Sequence, residues 1–299
     1  MKTIAILGPT ASGKTALAIE LALCYDAMIV SLDSLSIYKE IDIASAKPTL
    51  AERRGIPHFG MDVLYPNEHF DVTMFFTLFR EAKETALREN KNLIIVGGTG
   101  FYLKAMMEGL SQKPEIALHV KEHIKQHLCN LSSAYEMICK FDAPYADKIA
   151  SNDRYRIEKW LEIFLTTHRI PSDYLSQSKQ PPILEDVSLF EIDMPKEELA
   201  QKIALRTKGM IAQGLIDEVF SLEKRYTRTP QCMKAIGIKE VLDYFDGQLK
   251  LAELDEKITI NTLHLAKRQR TFNTSQFPAH PKLTLCELKP LIETVLHVK

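Results

Sequence analysis

The 299-residue sequence predicts an α/β fold, a parallel sheet flanked by helices, with a helical insertion. Three observations carry this. Short apolar runs alternate with helical periodicity over the first hundred residues. A glycine-rich turn joins the first apolar run to the first helix. From about residue 111 to residue 179, glycine and β-rich runs both disappear.

In chain order, Thr3-Ile4-Ala5-Ile6-Leu7 is a buried-strand pattern, and residues 16–23 follow as a helix with apolar residues on most faces. Residues 27–32 give a second strand ending at Asp33. Asp71 is placed to cap a helix over residues 72–89. Residues 92–96 make a third strand, closed by Gly97-Gly98. Strands alternating with helices argue for parallel pairing, and ligands of such sheets bind outside the carboxyl ends of the strands. In the insertion, residues 120–128 and 153–166 read as helices and residues 176–182 as a linker. A strand returns at residues 187–192, then amphipathic helices run to about Phe272. Residues 278–299 carry no clear pattern. The expected organisation is a core over residues 1–112 and 184–299, with the insertion over residues 113–183.

Hydrophobic content of 45% and charged content of 26% suit an ordinary globular protein. A net charge of -1 excludes a chain that holds nucleic acid by its overall field, so such a partner needs local basic patches. The five cysteines show no zinc-ligand spacing and read as reduced thiols of a cytoplasmic protein. No apolar run approaches the roughly 20 residues of a membrane span, and the start lacks signal-peptide architecture. No membrane partner is expected.

Residues 8–15 are Gly8, Pro9, Thr10, Ala11, Ser12, Gly13, Lys14 and Thr15. In the pattern Gly-x-x-x-x-Gly-Lys-Thr, the glycines let the backbone curl so that its N–H groups face inward. The following helix adds its positive end, Lys14 reaches phosphate oxygens, and Thr15 can ligate Mg²⁺. Lying between a strand and a helix, this is a P-loop. It identifies diphosphate binding and not the reaction.

Asp33 ends the second strand, which places it near the loop as a general base or as a cap for the next turn. A nucleotide kinase calls for a carboxylate ending another strand to position Mg²⁺. The third strand instead ends Val96-Gly97-Gly98-Thr99, and no arginine-rich lid is evident. His58, after Pro57, reads as a structural histidine in a loop.

Taken in order, these segments resemble the tRNA dimethylallyltransferases of bacterial type. The matching set starts with residues 8–15, Ser31-x-Asp33-Ser34-x-x-x-Tyr38, Ala46-Lys47-Pro48 and Pro57-His58. It continues with Val96-Gly97-Gly98-Thr99-Gly100-x-Tyr102 and Asn152-Asp153-x-x-Arg156. It closes with Gly214-Leu215-Ile216-Asp217-Glu218-Val219, Ala235-Ile236-Gly237-x-Lys239-Glu240 and Ala266-Lys267-Arg268-Gln269-x-Thr271. The resemblance implies transfer of a five-carbon prenyl group from dimethylallyl diphosphate to N6 of the adenosine immediately 3′ of the anticodon, in tRNAs reading codons that begin with U. It implies an insertion that grips the anticodon stem-loop. Mg²⁺ at Thr15 is the expected cofactor, and a monomer is expected.

For individual residues, it implies that Asp33 is the base that takes the N6 proton and that Thr10 donates to the bridging oxygen of the donor. RNA contacts are implied at Asp33, Ser34, Leu35, Ser36 and Thr99, at Lys121, Tyr155, Arg156 and Lys159 of the insertion, and at Lys267 and Arg268. Ser34 and Thr99 equally suit loop-capping hydroxyls. The charged residues, with Arg154 and Arg270 beside them, equally suit solvated helix faces. Several positions depart from the family pattern. Lys159 and Trp160 stand where Arg and a small residue are usual, and Ile238 where Tyr is frequent. Phe272-Asn273 replaces Trp-Phe, and Lys121 and Lys202 replace arginines. The residues alone also fit a small-molecule kinase, a prenyltransferase acting on a free adenine nucleotide, or a nucleotide-dependent switch.

Overall fold

Six strands align in a computed structural model that describes residues 1–297. They are β1 (Thr3–Leu7), β2 (Ala27–Ser31), β3 (His58–Phe59), β4 (Asn92–Val96), β5 (Ser188–Ile192) and β6 (Lys282–Leu283), in the order β3-β2-β4-β1-β5-β6. Every neighbouring pair is parallel, so all the strands deliver their following loops to one edge. The near-continuous apolar strands fit this, because a parallel sheet is covered on its faces.

Helix α1 (Lys14–Cys24) follows β1, and α2 (Val72–Arg88) packs over the β2 to β4 side with Phe75 and Phe79 fully buried. Asp71 caps α2, its carboxylate accepting the Thr73 N–H at 2.8 Å. Helix α3 (Gly100–Glu108) begins immediately after the β4 turn. His58 lies in edge strand β3 rather than in a loop. Its Nδ1 meets the Ile56 carbonyl at 2.8 Å, and burial lowers its pKa.

Residues 105–182 form one compact unit, and the rest of the described chain forms the other. The smaller unit is built from α4 (Leu118–His127), α5 (Leu131–Phe141), α6 (Ala143–Ala146), α7 (Arg154–Thr167) and α8 (Pro171–Gln177). Trp160 sits at 0% exposure in its core, stacked on Phe164 at 4.5 Å. Its Nε1 donates to buried Asp142 Oδ2 at 3.0 Å, and that oxygen also accepts the Ser172 N–H. The departure at position 160 is therefore a core residue with its polar tip satisfied. The expected linker starts inside α8, and Lys179 then pairs antiparallel with Ser111.

The larger unit continues with α9 (Lys196–Ala212), α10 (Leu215–Tyr226), α11 (Ile238–Phe245), α12 (Leu251–Gln276) and α13 (Leu285–His297). The C-terminal stretch, where the sequence shows no clear pattern, forms β6 and α13 as far as residue 297, and residues 298–299 lie outside the described residues. β6 extends the sheet beside β5, and Leu288, Ile292 and Leu296 of α13 join Ile4, Ile6, Ile192 and Leu17 in one buried cluster. These i, i+4, i+8 positions form one helix face.

Several family-motif residues are braces. Glu218 accepts the N–H groups of Asp42, Ile43 and Ala44 at 2.8–2.9 Å. Buried Lys47 bonds the Tyr38 carbonyl at 2.7 Å and Asp62 at 2.6 Å. Together they fix the chain that leaves β2. Glu240 accepts the Gly237 N–H and the Asn261 amide, both at 2.6 Å. Glu191, nearly inaccessible at the end of β5, gathers Asn273, His280 and Lys282 at 3.4, 3.1 and 3.6 Å, which ties α12 and β6 to that strand.

Candidate active site at the carboxyl edge of the sheet

The ends of β1, β2 and β4 meet at a cleft of about 440 Å³, lined by residues 10–16 of the glycine loop, Asp33, Gly97, Gly98, Arg206 and Gln269. Gly13 enters α1 with φ of 89°, a left-handed value that glycine adopts without strain. The first-turn N–H groups of α1 have no intrahelical partner and supply positive potential at the cleft. Thr10 N–H does not join them, because it is taken by Gln269 Oε1 at 2.8 Å. Ser12 Oγ is buried without a hydrogen-bond partner, a cost that an anion accepting its proton removes.

Lys14 is buried, and its Nζ donates to the Pro9 carbonyl at 2.6 Å. Burial pushes its pKa down to about 7; the Asp33 charge opposes that shift and Arg206 adds to it. Thr15 lines the cleft beside it, half-buried. Among the described residues, no cluster of three or more acidic, histidine or cysteine side chains can hold a metal. A lone hydroxyl suits Mg²⁺ that takes its remaining ligands from substrate phosphates and water.

Asp33 is half-buried and does two things with its two oxygens. Oδ1 accepts the Leu35 and Ser36 N–H groups at 2.9 and 3.1 Å, which is the capping role open to a strand-end aspartate. The carboxylate nevertheless lines the cleft, and Oδ2 has no hydrogen bond among the described residues. Capping therefore leaves one oxygen for chemistry.

A second cleft of about 310 Å³ shares Thr10, Asp33, Arg206 and Gln269 with the first and adds Ser34, Leu35 and Thr99. Ser34 is exposed, Thr99 and Leu35 are half-buried, and Ser36 is buried. Tyr102, in the same motif as Thr99, has its phenol pushed up to about 12 by burial and by the Asp33 charge.

Arg206, on α9, was not among the residues that the sequence singled out. Its Nη1 donates to Thr10 Oγ1 at 3.2 Å. Burial lowers its pKa and Asp33 raises it, though a guanidinium stays charged throughout. It has no local signal, since α9 reads as an ordinary amphipathic helix. Gln269 was visible only as one letter of a motif.

The basic residues divide differently from the expected clusters. Lys267 and Arg268 are exposed on α12, but Arg270 turns inward to the Met194 carbonyl. In the helical unit, Lys121 on α4 and Tyr155 and Arg156 on α7 are exposed. Arg156 pairs with Asp153, and Lys159 bonds Glu162 at 2.5 Å while lying 5.6 Å from the Tyr155 ring centre. Arg154 donates to the Leu128 carbonyl at 3.0 Å and serves the unit's own packing.

Fold and cleft define a class, a parallel α/β protein with a glycine-rich strand-to-helix loop at the carboxyl edge of its sheet. Comparison with known proteins narrows it. Residues 36–276 match the family model described as IPP transferase. A tRNA dimethylallyltransferase of Sulfurovum sp. (strain NBC37-1) is 50% identical over 293 residues, covering 98% of this chain and 97% of that one. One from Aliarcobacter butzleri (strain RM4018) is 52% identical over 277 residues, 93% of each. A crystal structure of a Staphylococcus epidermidis tRNA delta(2)-isopentenylpyrophosphate transferase aligns with a TM-score of 0.69 at 29% identity over 99% of both chains. A eukaryotic dimethylallyltransferase captured acting on tRNA aligns with a TM-score of 0.79 at 26% identity, over 91% of this chain and 70% of that one. The chain belongs to the IPP transferase family.

Proposed function

We propose that the protein transfers a dimethylallyl group from dimethylallyl diphosphate to N6 of the adenosine immediately 3′ of the anticodon, in tRNAs reading codons that begin with U, and releases diphosphate. It acts in the cytoplasm as a monomer. The observation that carries this is the meeting of the glycine loop, Lys14, Arg206 and Asp33 at one cleft, in a chain whose near-full-length relatives are named for that reaction.

The reaction is displacement at an allylic carbon. As the carbon–oxygen bond breaks, negative charge collects on the diphosphate. The α1 N–H groups, Lys14, Ser12 and Arg206 are fixed donors around that charge, and such preorganisation is the largest kind of catalytic term. Thr10 Oγ1 accepts from Arg206, so its own hydrogen is left to donate to the bridging oxygen. Thr15 would hold Mg²⁺ together with phosphate and water ligands, and the ion would supply neutralisation of the leaving-group charge.

Adenine N6 is a weak nucleophile because its lone pair is delocalised into the ring. Asp33 Oδ2 takes its proton as the bond to carbon forms. A positioned base contributes about 10²–10⁴-fold, roughly 3–5 kcal/mol of barrier. The adenine must leave its stack to arrive there. It lies in the smaller cleft, with Ser34 and Thr99 bonding its edge and Leu35 and Ser36 shaping the approach. Lys121, Tyr155, Arg156 and Lys159 contact the stem-loop backbone, and Lys267 and Arg268 add phosphate contacts.

The test supplies isoprenoid-labelled dimethylallyl diphosphate and Mg²⁺ with either an unmodified anticodon stem-loop or free adenosine monophosphate. Label enters the RNA. Label confined to the free nucleotide, or ATP-dependent phosphorylation of a small metabolite with no prenyl transfer, overturns the reading.

A further inference from the structure

One side chain from α12 joins the ends of β1 and β4 at the cleft. Gln269 Oε1 accepts the Thr10 N–H at 2.8 Å. An N–H can be met only by an acceptor, so this bond fixes which end of the amide is which. It directs Nε2 over Gly98. A Cβ added at position 98 would stand 2.3 Å from Nε2, and its three nearest atoms all belong to Gln269. Gly98 is not among the glycines with positive φ, so its φ does not itself call for glycine. Only Gln269 requires the missing side chain.

We infer that Gln269 is a positioning residue that acts through Thr10, and that Gly98 is glycine in order to admit it. The inference rests on the prenyl-transfer reading of the cleft. Thr10 is held twice, by its N–H to Gln269 and by its hydroxyl to Arg206. Loss of the first hold frees the Thr10 peptide and lets the hydroxyl and the guanidinium drift relative to Asp33 on the same wall. Misplacement by about 1 Å is enough to cost about 100-fold in rate. The helix itself has other anchors. Leu254, Ile258 and Ala266 are buried, and Asn273, one turn beyond Gln269, is buried against Glu191. Truncating Gln269 therefore leaves α12 seated.

The experiment is a double-mutant cycle with Gln269→Ala, Gly98→Ala and the pair. A methyl at position 98 meets only the tip of a flexible side chain, so it displaces the amide and spares the fold. In each single variant, affinity for inorganic diphosphate and kcat for prenyl transfer fall about 10- to 100-fold, while KM for the stem-loop and Tm hold. The double variant is no worse than Gln269→Ala alone, because the methyl then has nothing to strike; contacting residues are expected to be non-additive in this way. Losses that multiply, or single variants equal to wild type, overturn the inference. Wild-type protein that bound diphosphate but transferred no prenyl group would overturn the proposed function instead, and the diphosphate affinities of the four proteins would still decide the role of Gln269.

Discussion

Arg206 Nη1 donates to the Thr10 hydroxyl across 3.2 Å, joining α9 to the glycine loop over a sequence separation of 196 residues. The guanidinium orients the hydroxyl and brings its own charge to the cleft. Lysine keeps the charge but loses the planar fork that bonds two partners at once. Arg206→Lys should lower kcat/KM for the prenyl donor by about 10- to 100-fold, measured in steady state at saturating RNA. A variant within twofold of wild type, an allowance of about 0.4 kcal/mol, would remove Arg206 from the mechanism.

Asp33 calls for a different substitution. Alanine removes both the proposed base and the Oδ1 cap on Leu35 and Ser36, so its effect mixes chemistry with a loop defect worth about 1–2 kcal/mol. Asparagine keeps a carbonyl oxygen for the cap and loses basicity. Asp33→Asn should bind stem-loop RNA normally and lose about 10²–10⁴-fold in single-turnover prenyl transfer. Near-normal turnover would exclude Asp33 as the base.

Lys14 gives a pH signature. With its pKa near 7 in the free protein, the amine is largely neutral at pH 8. A diphosphate beside it favours the ammonium form, so binding takes up a proton above pH 7, and affinity weakens as pH rises beyond that point. Calorimetry of inorganic diphosphate binding at pH 8, in buffers of different ionisation enthalpy, should show about one more proton taken up by wild type than by Lys14→Arg, whose charge is permanent. Equal uptake by the two proteins would contradict a neutral Lys14.

On the helical unit, Arg156 is exposed, and its ionic partner among the described residues is Asp153. If it meets an RNA phosphate, Arg156→Gln should weaken stem-loop binding and reduce the slope of log K against log salt by about 1. An unchanged slope would return Arg156 to being a solvated pair with Asp153.

The glycine loop, Asp33 and the β4 turn were legible in the sequence because each is a short motif whose residues act on the backbone next to them. Arg206 was not, because its importance comes only from the approach of α9 to the loop. Helix α5 was missed because Ser132, Ser133, Tyr135 and Cys139 are indifferent helix formers, even though Asn130 caps it. The C-terminal region hid for another reason. β6 is two residues long and α13 carries Pro290 in its interior, so neither period was evident. The burial of α13 is nonetheless substantial, and Leu288→Ala should cost about 2–5 kcal/mol in denaturant unfolding. A loss below about 1 kcal/mol, the range of most surface substitutions, would show that α13 is not integral to the core.

Nucleoside mass mapping decides whether the protein prenylates the adenosine next to the anticodon. An unmodified anticodon stem-loop with adenosine 3′ of the anticodon is incubated with the protein, dimethylallyl diphosphate and Mg²⁺, then digested and analysed. The expected result is a mass gain of one dimethylallyl group on that adenosine, at N6, with diphosphate released in equal amount. Diphosphate release without RNA modification, or a prenyl group on any other nucleoside, would contradict it.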